Sequence, residues 1–367
     1  MKTDNLKAAL AKVEDPRRTD RGHVLHKLDD ILIIGLCTFI CNGSDFTDME
    51  EFGTEREEWL KNFLELPNGI PDSDTFRRIF ERIDPKALSE CLYDWLSSSR
   101  KDGSVIAVDG KTICGSGNHE HRAYHVVSAF AAENQITLGE IVTEEKSNEI
   151  TAIPELLETL DIKHSIITAD AMSCQKEIVK KIIGKKADYV IALKGNQPNF
   201  LEDAAMYFES FRKEIPVFST TEKGHGRIEK REYRLLTDLS WLPEKKDWAG
   251  IKAIGEVQST VMRDSGVSTD IRYFISSLTE VQRFAHAVRC HWSIENQLHW
   301  CLDVIFDEDS SQAKKDLSPL NLNILRKVAL SLCRNCQNPK LRKSSIQKRR
   351  FRASLNPETF LSILLGS

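Results

Sequence analysis

Two aspartates in this chain each follow a short apolar run of the strand type. The run 104–108 (SVIAV) precedes Asp109, and the run 165–169 (SIITA) precedes Asp170. Val and Ile favour a pleated, buried surface, so both runs are predicted strands that end on an acid. A single acid there is typical of a turn cap. Two such acids on neighbouring strands repel each other unless a cation holds them, which indicates a metal site.

A third acid, Glu295, lies at the edge of the apolar stripe of a helix predicted over 279–305. Together with Asp109 and Asp170 it completes a ligand set made only of oxygen atoms. Such a set suits Mg²⁺ or Mn²⁺. Two of these ions about 3.5–4 Å apart can promote an in-line phosphoryl displacement. The acids therefore predict two-metal phosphoryl chemistry.

The same helix offers a rival metal site. His291, Glu295 and His299 follow one another at intervals of four residues, on one stripe of a helix, and two histidines with a carboxylate are a plausible zinc set. The HExxH signature of zinc proteases is absent, because Trp and Ser follow His291. Two helical turns are also a wide spread for one ion. Zinc hydrolysis is the less favoured interpretation.

Composition describes an ordinary soluble globular protein. The chain has 367 residues, 41% hydrophobic and 29% charged, enough for two or three domains. A net charge of -4 gives no overall nucleic-acid signature, so DNA binding has to depend on local basic clusters. Nine scattered cysteines suggest no disulfide framework, and the apolar run 31–41 is too short to span a bilayer. A cytoplasmic protein with no membrane partner is expected.

The order of predicted elements places the three acids in one fold. Strands at 104–109, 124–131, 135–142, 165–170 and 188–193 alternate with helices as β-β-β-α-β-α-β, the order of a ribonuclease H-like core, in which the first and fourth strands are neighbours. The predicted α/β chain has four parts. They are an all-α N-terminal domain (1–100), the first part of the ribonuclease H-like core (101–215), a β-rich insertion (216–278) and a C-terminal helical part of the core with a basic tail (279–367).

Basic clusters supply the candidate DNA contacts. A turn-rich stretch at 66–74 precedes a predicted helix that carries Arg77 and Arg78. This helix-turn-helix-like arrangement could enter a DNA groove, or it could be part of a helical bundle whose arginines face solvent. The tail 340–352 has seven Lys or Arg residues and no acidic residue. Such a run is typical of a solvated surface and of a segment that binds a phosphate backbone. Lys348, Arg349 and Arg350 of this tail are predicted contacts.

Seven motifs in order resemble those of the DDE transposases of bacterial insertion sequences, in the H-repeat-associated (ISAs-type) group. They are GIPDSDTF (69–76), AVDGKT (107–112), KSNEITAIP (146–154), TADAM (168–172), LKGNQ (193–197), HGRIE (225–229) and RCHWSIEN (289–296). The resemblance implies that Asp109, Asp170 and Glu295 are the catalytic, metal-binding triad. Related transposases carry Tyr, Arg and Lys around the Glu, where this chain has Val288, His291 and Leu302.

The resemblance also implies a substrate. The protein would cut the 3′ ends of the element's terminal inverted repeats and join them to target DNA, as a homodimer that brings two ends together at the nucleoid. Further predicted phosphate contacts are Lys111, Lys194, Arg227, Arg289 and His291. Two alternatives stay open, namely a two-metal nuclease without strand transfer and a catalytically silent DNA-binding regulator.

Overall fold

The protein is described from a computed structural model over residues 2–18, 24–97, 103–117, 122–143, 149–224 and 226–366. Nine strands of these residues form one mixed sheet. They are β1 (Val105–Thr112), β2 (His125–Ala131), β3 (Ile136–Thr143), β4 (Ile166–Ala169), β5 (Asp188–Leu193), β6 (Val217–Gly224), β7 (Arg227–Leu236), β8 (Ala253–Arg263) and β9 (Gly266–Ser276). Their order in the sheet is β3-β2-β1-β4-β5-β9-β8-β7-β6.

The first five strands have the predicted ribonuclease H-like arrangement. β1 pairs antiparallel with β2 and parallel with β4, and β4 pairs parallel with β5. These strands are rich in Val, Ile and Ala because both faces of this half of the sheet are covered. The topology therefore confirms that the first and fourth strands are neighbours.

The β-rich insertion continues this same sheet. β9 returns antiparallel to β5, with Val190 opposite Ser276, and β8, β7 and β6 follow as a meander. The strand β6 was not predicted, because its sequence VFSTTEKG is mostly polar and its side chains are largely exposed. Backbone pairing thus links the insertion directly to the ribonuclease H-like half of the sheet.

Fourteen α-helices lie in the described residues. They are α1 (Lys2–Leu10), α2 (Leu28–Ile40), α3 (Phe46–Glu55), α4 (Glu57–Leu60), α5 (Ser73–Phe80), α6 (Pro85–Ser97), α7 (Glu149–Thr159), α8 (Lys176–Gly184), α9 (Pro198–Phe211), α10 (Val281–Ser293), α11 (Trp300–Val304), α12 (Ser318–Asn335), α13 (Ile346–Leu355) and α14 (Pro357–Leu364). Within the described parts of the chain, none of them combines the length and apolarity that a membrane crossing requires.

Two helical segments have irregular features. α7 begins at Glu149, so Pro154 lies inside it and not in its first turn. The helix predicted over 279–305 is divided, because a π-helix, Ile294–His299, separates α10 from α11. π-Helical turns are rare and occur often at functional sites.

The N-terminal helices and the C-terminal helices share one apolar core. It contains buried side chains from α2, α3, α5 and α6 together with α12, α13 and α14. A buried polar contact joins the same regions, since Lys327 Nζ of α12 lies 2.6 Å from Glu140 Oε2 of β3, which accepts a hydrogen bond from Tyr93 of α6 (2.7 Å). The described helices between residues 28 and 97 therefore pack with the C-terminal helices around one core.

Candidate active site

The register of β1 and β4 brings two aspartates to one edge. Their parallel ladder ends with Val108 opposite Ala169, and the next residue of each strand is Asp109 or Asp170. Asp109 does not end its strand as predicted, because β1 continues to Thr112 through its pairing with β2. The first acid is therefore held by backbone pairing with β2, and its side chain is 27% exposed.

The loop that carries Asp170 is fixed by hydrogen bonds. Asp170 Oδ1 accepts hydrogen bonds from the backbone N–H (3.3 Å) and hydroxyl (3.2 Å) of Ser173. The side-chain amides of Asn196 and Gln197, which follow β5, donate to two carbonyl oxygens of this loop at 2.6 and 3.0 Å. These two amides were not predicted as site residues, although they stand in the LKGNQ motif. Lys194 of the same motif is exposed at this edge.

The π-helix positions Glu295 over Asp109. Ile294 and Leu298 anchor it in the core, while the Glu295 side chain is 58% exposed. Buried His299 lies between the acids, with Nδ1 3.2 Å from Glu295 Oε2 and 3.6 Å from Asp109 Oδ2. One ligand atom from each of these three residues lies within 4.8 Å of the others. Asp170 is outside this cluster.

Electrostatics at this site favour a cation. Burial, followed by the nearby Asp170 carboxylate, raises the pKa of Asp109 to about 6, against the opposing influence of His299. The hydrogen bond from His299 lowers the pKa of Glu295. Carboxylate oxygens are the donors that Mg²⁺ and Mn²⁺ prefer, so the residues present fit such an ion.

The rival zinc set is not assembled. His291 Nδ1 lies 3.3 Å from Thr168 Oγ1, away from the cluster that contains Glu295 and His299. Burial lowers the pKa of His291 to about 4, although Asp170 opposes this shift. His291 is therefore neutral at physiological pH and faces the second aspartate. A phosphate contact through its positive charge is not supported.

Gly110 is required by the groups packed behind Asp109. A Cβ on Gly110 would overlap Glu149 Oε1 and His125 Nε2, which contact each other at 2.6 Å in the buried layer under β1. Gly110→Ala should therefore lower the free energy of unfolding by about 1–3 kcal/mol and reduce catalysis by displacing Asp109. Gly195→Ala is the control, since nothing lies within 4 Å of its Cβ position. Equal urea midpoints for the two variants would contradict this steric account.

Lys111 does not face the acids of the predicted triad. Its Nζ lies 2.7 Å from Asp303 Oδ1 and 2.8 Å from Glu308 Oε2, and its side chain is 11% exposed. Although burial lowers the pKa of Lys111, these carboxylates hold it above its ordinary value. A phosphate would have to displace two carboxylates, so the predicted phosphate contact is corrected to a structural ion pair between β1 and the segment after α11.

Two predicted contacts, Arg227 and Arg289, line a cleft of 960 Å³ beside the π-helix. The cleft lies between the insertion strands and α10, and five cationic and three acidic side chains line it. Sequence reasoning missed Arg272, whose guanidinium lies 5.2 Å from the ring centroid of half-exposed Trp292. Trp300, also half exposed, lines the same cleft. The two tryptophans close to Glu295 in sequence were the signal that could have revealed this cleft.

The remaining predicted contacts divide into exposed and buried groups. Arg77 is paired with Asp74 and Glu81, and Arg78, which is 60% exposed, lies 3.4 Å from the other oxygen of Asp74. Lys348 is exposed, but Arg349 and Arg350 are buried, which corrects their prediction as DNA contacts.

Both buried arginines of the tail bind backbone carbonyl groups. Arg349 donates to the carbonyl oxygens of Cys333 and Arg334, at the end of α12. Arg350 donates to those of Phe39, Gly43 and Ile305, near the ends of α2 and α11. Unpaired carbonyls at helix C-termini attract cations.

Comparisons with known proteins agree with this geometry. Residues 7–96 match the family described as DDE_Tnp_1-associated, and residues 100–332 match the family described as Transposase DDE domain. The protein YncI of Escherichia coli O157:H7 is 40% identical over 363 residues, covering 93% of this chain and 90% of that protein. The H repeat-associated protein YhhI of E. coli K12 is 35% identical, covering 100% and 99%. The names of both record a transposase assignment without demonstrated activity.

A solved structure, a piggyBac transposase synaptic complex with hairpin DNA, aligns with 99% of this chain and 77% of its own, at a TM-score of 0.43 and 11% identity. That likeness is too low to support an argument. The two family matches cover both the helical N-terminal part and the sheet, and they are sufficient to assign the family. The chain belongs to the DDE transposase family, in the group of the H repeat-associated transposases.

Proposed function

We propose that this protein is a DNA transposase that binds the terminal inverted repeats of an insertion sequence, cleaves their 3′ ends and joins them to target DNA. The observation that carries the proposal is the convergence of Asp109 and Glu295 at the sheet edge where Asp170 follows the neighbouring strand. Asp170 also caps its own loop, but that role does not explain why Asp109 and Glu295 converge beside it at an open edge. Their charges require a cation, and DNA phosphates are the natural further ligands.

Asp109, Asp170 and Glu295 would hold two Mg²⁺ or Mn²⁺ ions. Bound there, such ions activate the attacking water or 3′-hydroxyl and stabilise the leaving oxygen. Asp109 contributes from a fixed strand, and Asp170 from a loop held by its own cap. His299 would orient the Glu295 carboxylate through the hydrogen bond at its Nδ1 atom, which lies 3.6 Å from Asp109.

The cleft beside the π-helix would hold the DNA strand near the acids. Its cations suit a phosphate backbone, and its exposed tryptophans suit a nucleotide. The N-terminal helices, residues 1–100, stay a proposed DNA-binding unit, supported by the exposed Arg78 on α5. A homodimer would bring two element ends together, which analytical ultracentrifugation on repeat DNA would test.

Incubation of the protein with DNA carrying its flanking inverted repeats and Mg²⁺ tests the proposal. The expected products are 3′-end nicks at the repeat followed by joining to a second DNA. Cleavage without any joined product would instead favour a two-metal nuclease. Specific binding without cleavage, in Mg²⁺ and Mn²⁺ alike, would favour a silent regulator and contradict the enzyme.

Arg227→Gln should weaken DNA binding through the loss of one phosphate contact in the cleft. Arg227 is 44% exposed and lies 3.9 Å from Glu229, so its positive charge is available to a ligand. The slope of log affinity against log salt should become smaller in magnitude by about 1. Lys180→Gln, an exposed charge on α8 across the sheet, should leave that slope unchanged. Equal slopes for Arg227→Gln and the wild type, from fluorescence anisotropy, would remove Arg227 from the interface.

A further inference from the structure

A second cluster of metal-ligand types lies where the turn between β2 and β3 meets α10. His286 Nε2 is 2.9 Å from Glu133 Oε1 and 3.5 Å from Cys290 Sγ. One ligand atom from each of the three lies within 4.8 Å of the others. The proposed transposition chemistry uses none of these side chains.

The spacing of these atoms suits a small tetrahedral ion. Zinc bonds of about 2.0 Å to nitrogen or oxygen and about 2.3 Å to sulfur place tetrahedral ligand atoms roughly 3.3–3.6 Å apart. The distance of 3.5 Å from His286 Nε2 to Cys290 Sγ lies in that range. The distance of 2.9 Å from His286 Nε2 to Glu133 Oε1 is that of a hydrogen bond and needs a small opening.

The backbone positions all three ligands. The second carboxylate oxygen of Glu133 accepts a hydrogen bond from the Val105 backbone N–H at 2.9 Å, which orients the first oxygen towards α10. His286 and Cys290 are four residues apart on α10, so they face the same side. A hydrogen bond to the distal atom of a ligand is the usual support of a metal site.

An ordinary ion pair between His286 and Glu133 is the simpler interpretation, and it leaves the Cys290 thiol as a partly buried group packed against the apolar core around Phe284. Burial and the Glu133 carboxylate raise the pKa of Cys290 to about 11, so a metal ion must displace the thiol proton when it binds. A thiolate, an imidazole and a carboxylate prefer Zn²⁺ over Mg²⁺. We propose that Glu133, His286 and Cys290 bind one divalent transition-metal ion of the zinc type, separate from the triad.

An ion at this position would connect the two elements that carry the first and third acids. Glu133 is hydrogen-bonded to the first residue of β1, four residues before Asp109, a distance of roughly 13 Å along the strand. Cys290 precedes Glu295 by five residues, a rise of roughly 7.5 Å along the helix. The ion would thus brace β1 against α10 without touching the catalytic acids.

Titration of the full chain with Co²⁺ tests the site. The expected result is a cobalt–thiolate absorption band that saturates at one ion, is abolished by Zn²⁺ and persists in excess Mg²⁺. Cys290→Ser should lose the band, whereas Cys114→Ser, at an exposed cysteine outside the cluster, should keep it. Asp109→Asn should also keep it, because the triad is a different site.

Affinity for Zn²⁺ gives a second measurement, independent of the thiolate band. Glu133→Gln retains an oxygen for the Val105 N–H and should weaken Zn²⁺ binding by about tenfold or more. The proposal is overturned by a wild type without the band, by a band that survives Cys290→Ser, or by unchanged affinity in Glu133→Gln. Thermal unfolding of each variant confirms that it is folded before titration.

Discussion

Asp109→Asn should abolish DNA cleavage while leaving the protein folded. The amide keeps the shape of the side chain but removes the charge that would hold a metal ion beside Glu295. Metal ions supply several kcal/mol of transition-state stabilisation, so single-turnover cleavage of repeat DNA should slow by about 10³-fold or more. Asp94→Asn, at an exposed acid of α6, should cleave at the wild-type rate. A variant Asp109→Asn that cleaves within tenfold of wild type would refute the triad.

The same variant should be more stable than the wild type at neutral pH. The pKa of Asp109 is raised from 3.8 to about 6 in the folded state, so folding strengthens proton binding. The resulting stabilisation is complete below pH 3.8 and is lost as the pH rises through 6. Asn has no proton to lose, so its unfolding free energy should exceed that of wild type by about 1–3 kcal/mol near pH 7.5 and by little near pH 4. Urea denaturation at both pH values measures this difference.

Arg350→Ala should destabilise the whole protein by about 3 kcal/mol or more. Its guanidinium donates to the carbonyl oxygens of Phe39 (2.9 Å), Gly43 (3.3 Å) and Ile305, and it lies 4.0 Å from the ring centroid of Phe306. Removing it leaves one buried and two partly buried carbonyl groups without this partner and opens a cavity between α2, α11 and α13. Urea denaturation should show the loss with no DNA present.

Lys348→Ala is the matched control for that prediction, because this side chain is exposed on the same helix. Its unfolding free energy should stay within about 0.5 kcal/mol of wild type. If Arg350→Ala were as stable as Lys348→Ala and only weakened DNA binding, the original interpretation of the tail as a phosphate contact would be restored.

The sequence was sufficient to predict those parts of the site that depend on the order of the strands. Asp109 and Asp170 are neighbours because each follows a strand of one parallel pair, and the element order predicted that pair. The contact between His299 and Asp109 depends on the π-helix, whose extra residue per turn changes which side chains share a face. The prediction assumed an ordinary helix of 3.6 residues per turn and therefore placed His291 wrongly on the stripe of Glu295 and His299.

Charge patterns in sequence were less reliable guides. The tail appeared as a uniform basic run, yet Arg349 and Arg350 point inward because carbonyl groups from distant helix ends lie there. Lys111 is two residues after Asp109 and therefore on the same face of β1, yet its Nζ pairs with Asp303 and Glu308 rather than with the triad. The contacts of Arg350 with Phe39 and of Lys111 with Glu308 join groups that are 311 and 197 residues apart along the chain, which no local pattern contains.

The shared apolar core has a consequence for the protein during its synthesis. α2 carries eleven consecutive buried residues, Asp30–Ile40, and packs against α12, which leaves the ribosome almost 300 residues later. Until then this surface has no partner from α12, and such exposed intermediates are prone to aggregation or to capture by chaperones. The nascent chain thus carries Asp109 and Asp170 long before Glu295 and its supporting helices exist. The proposed cleavage therefore requires a nearly complete chain.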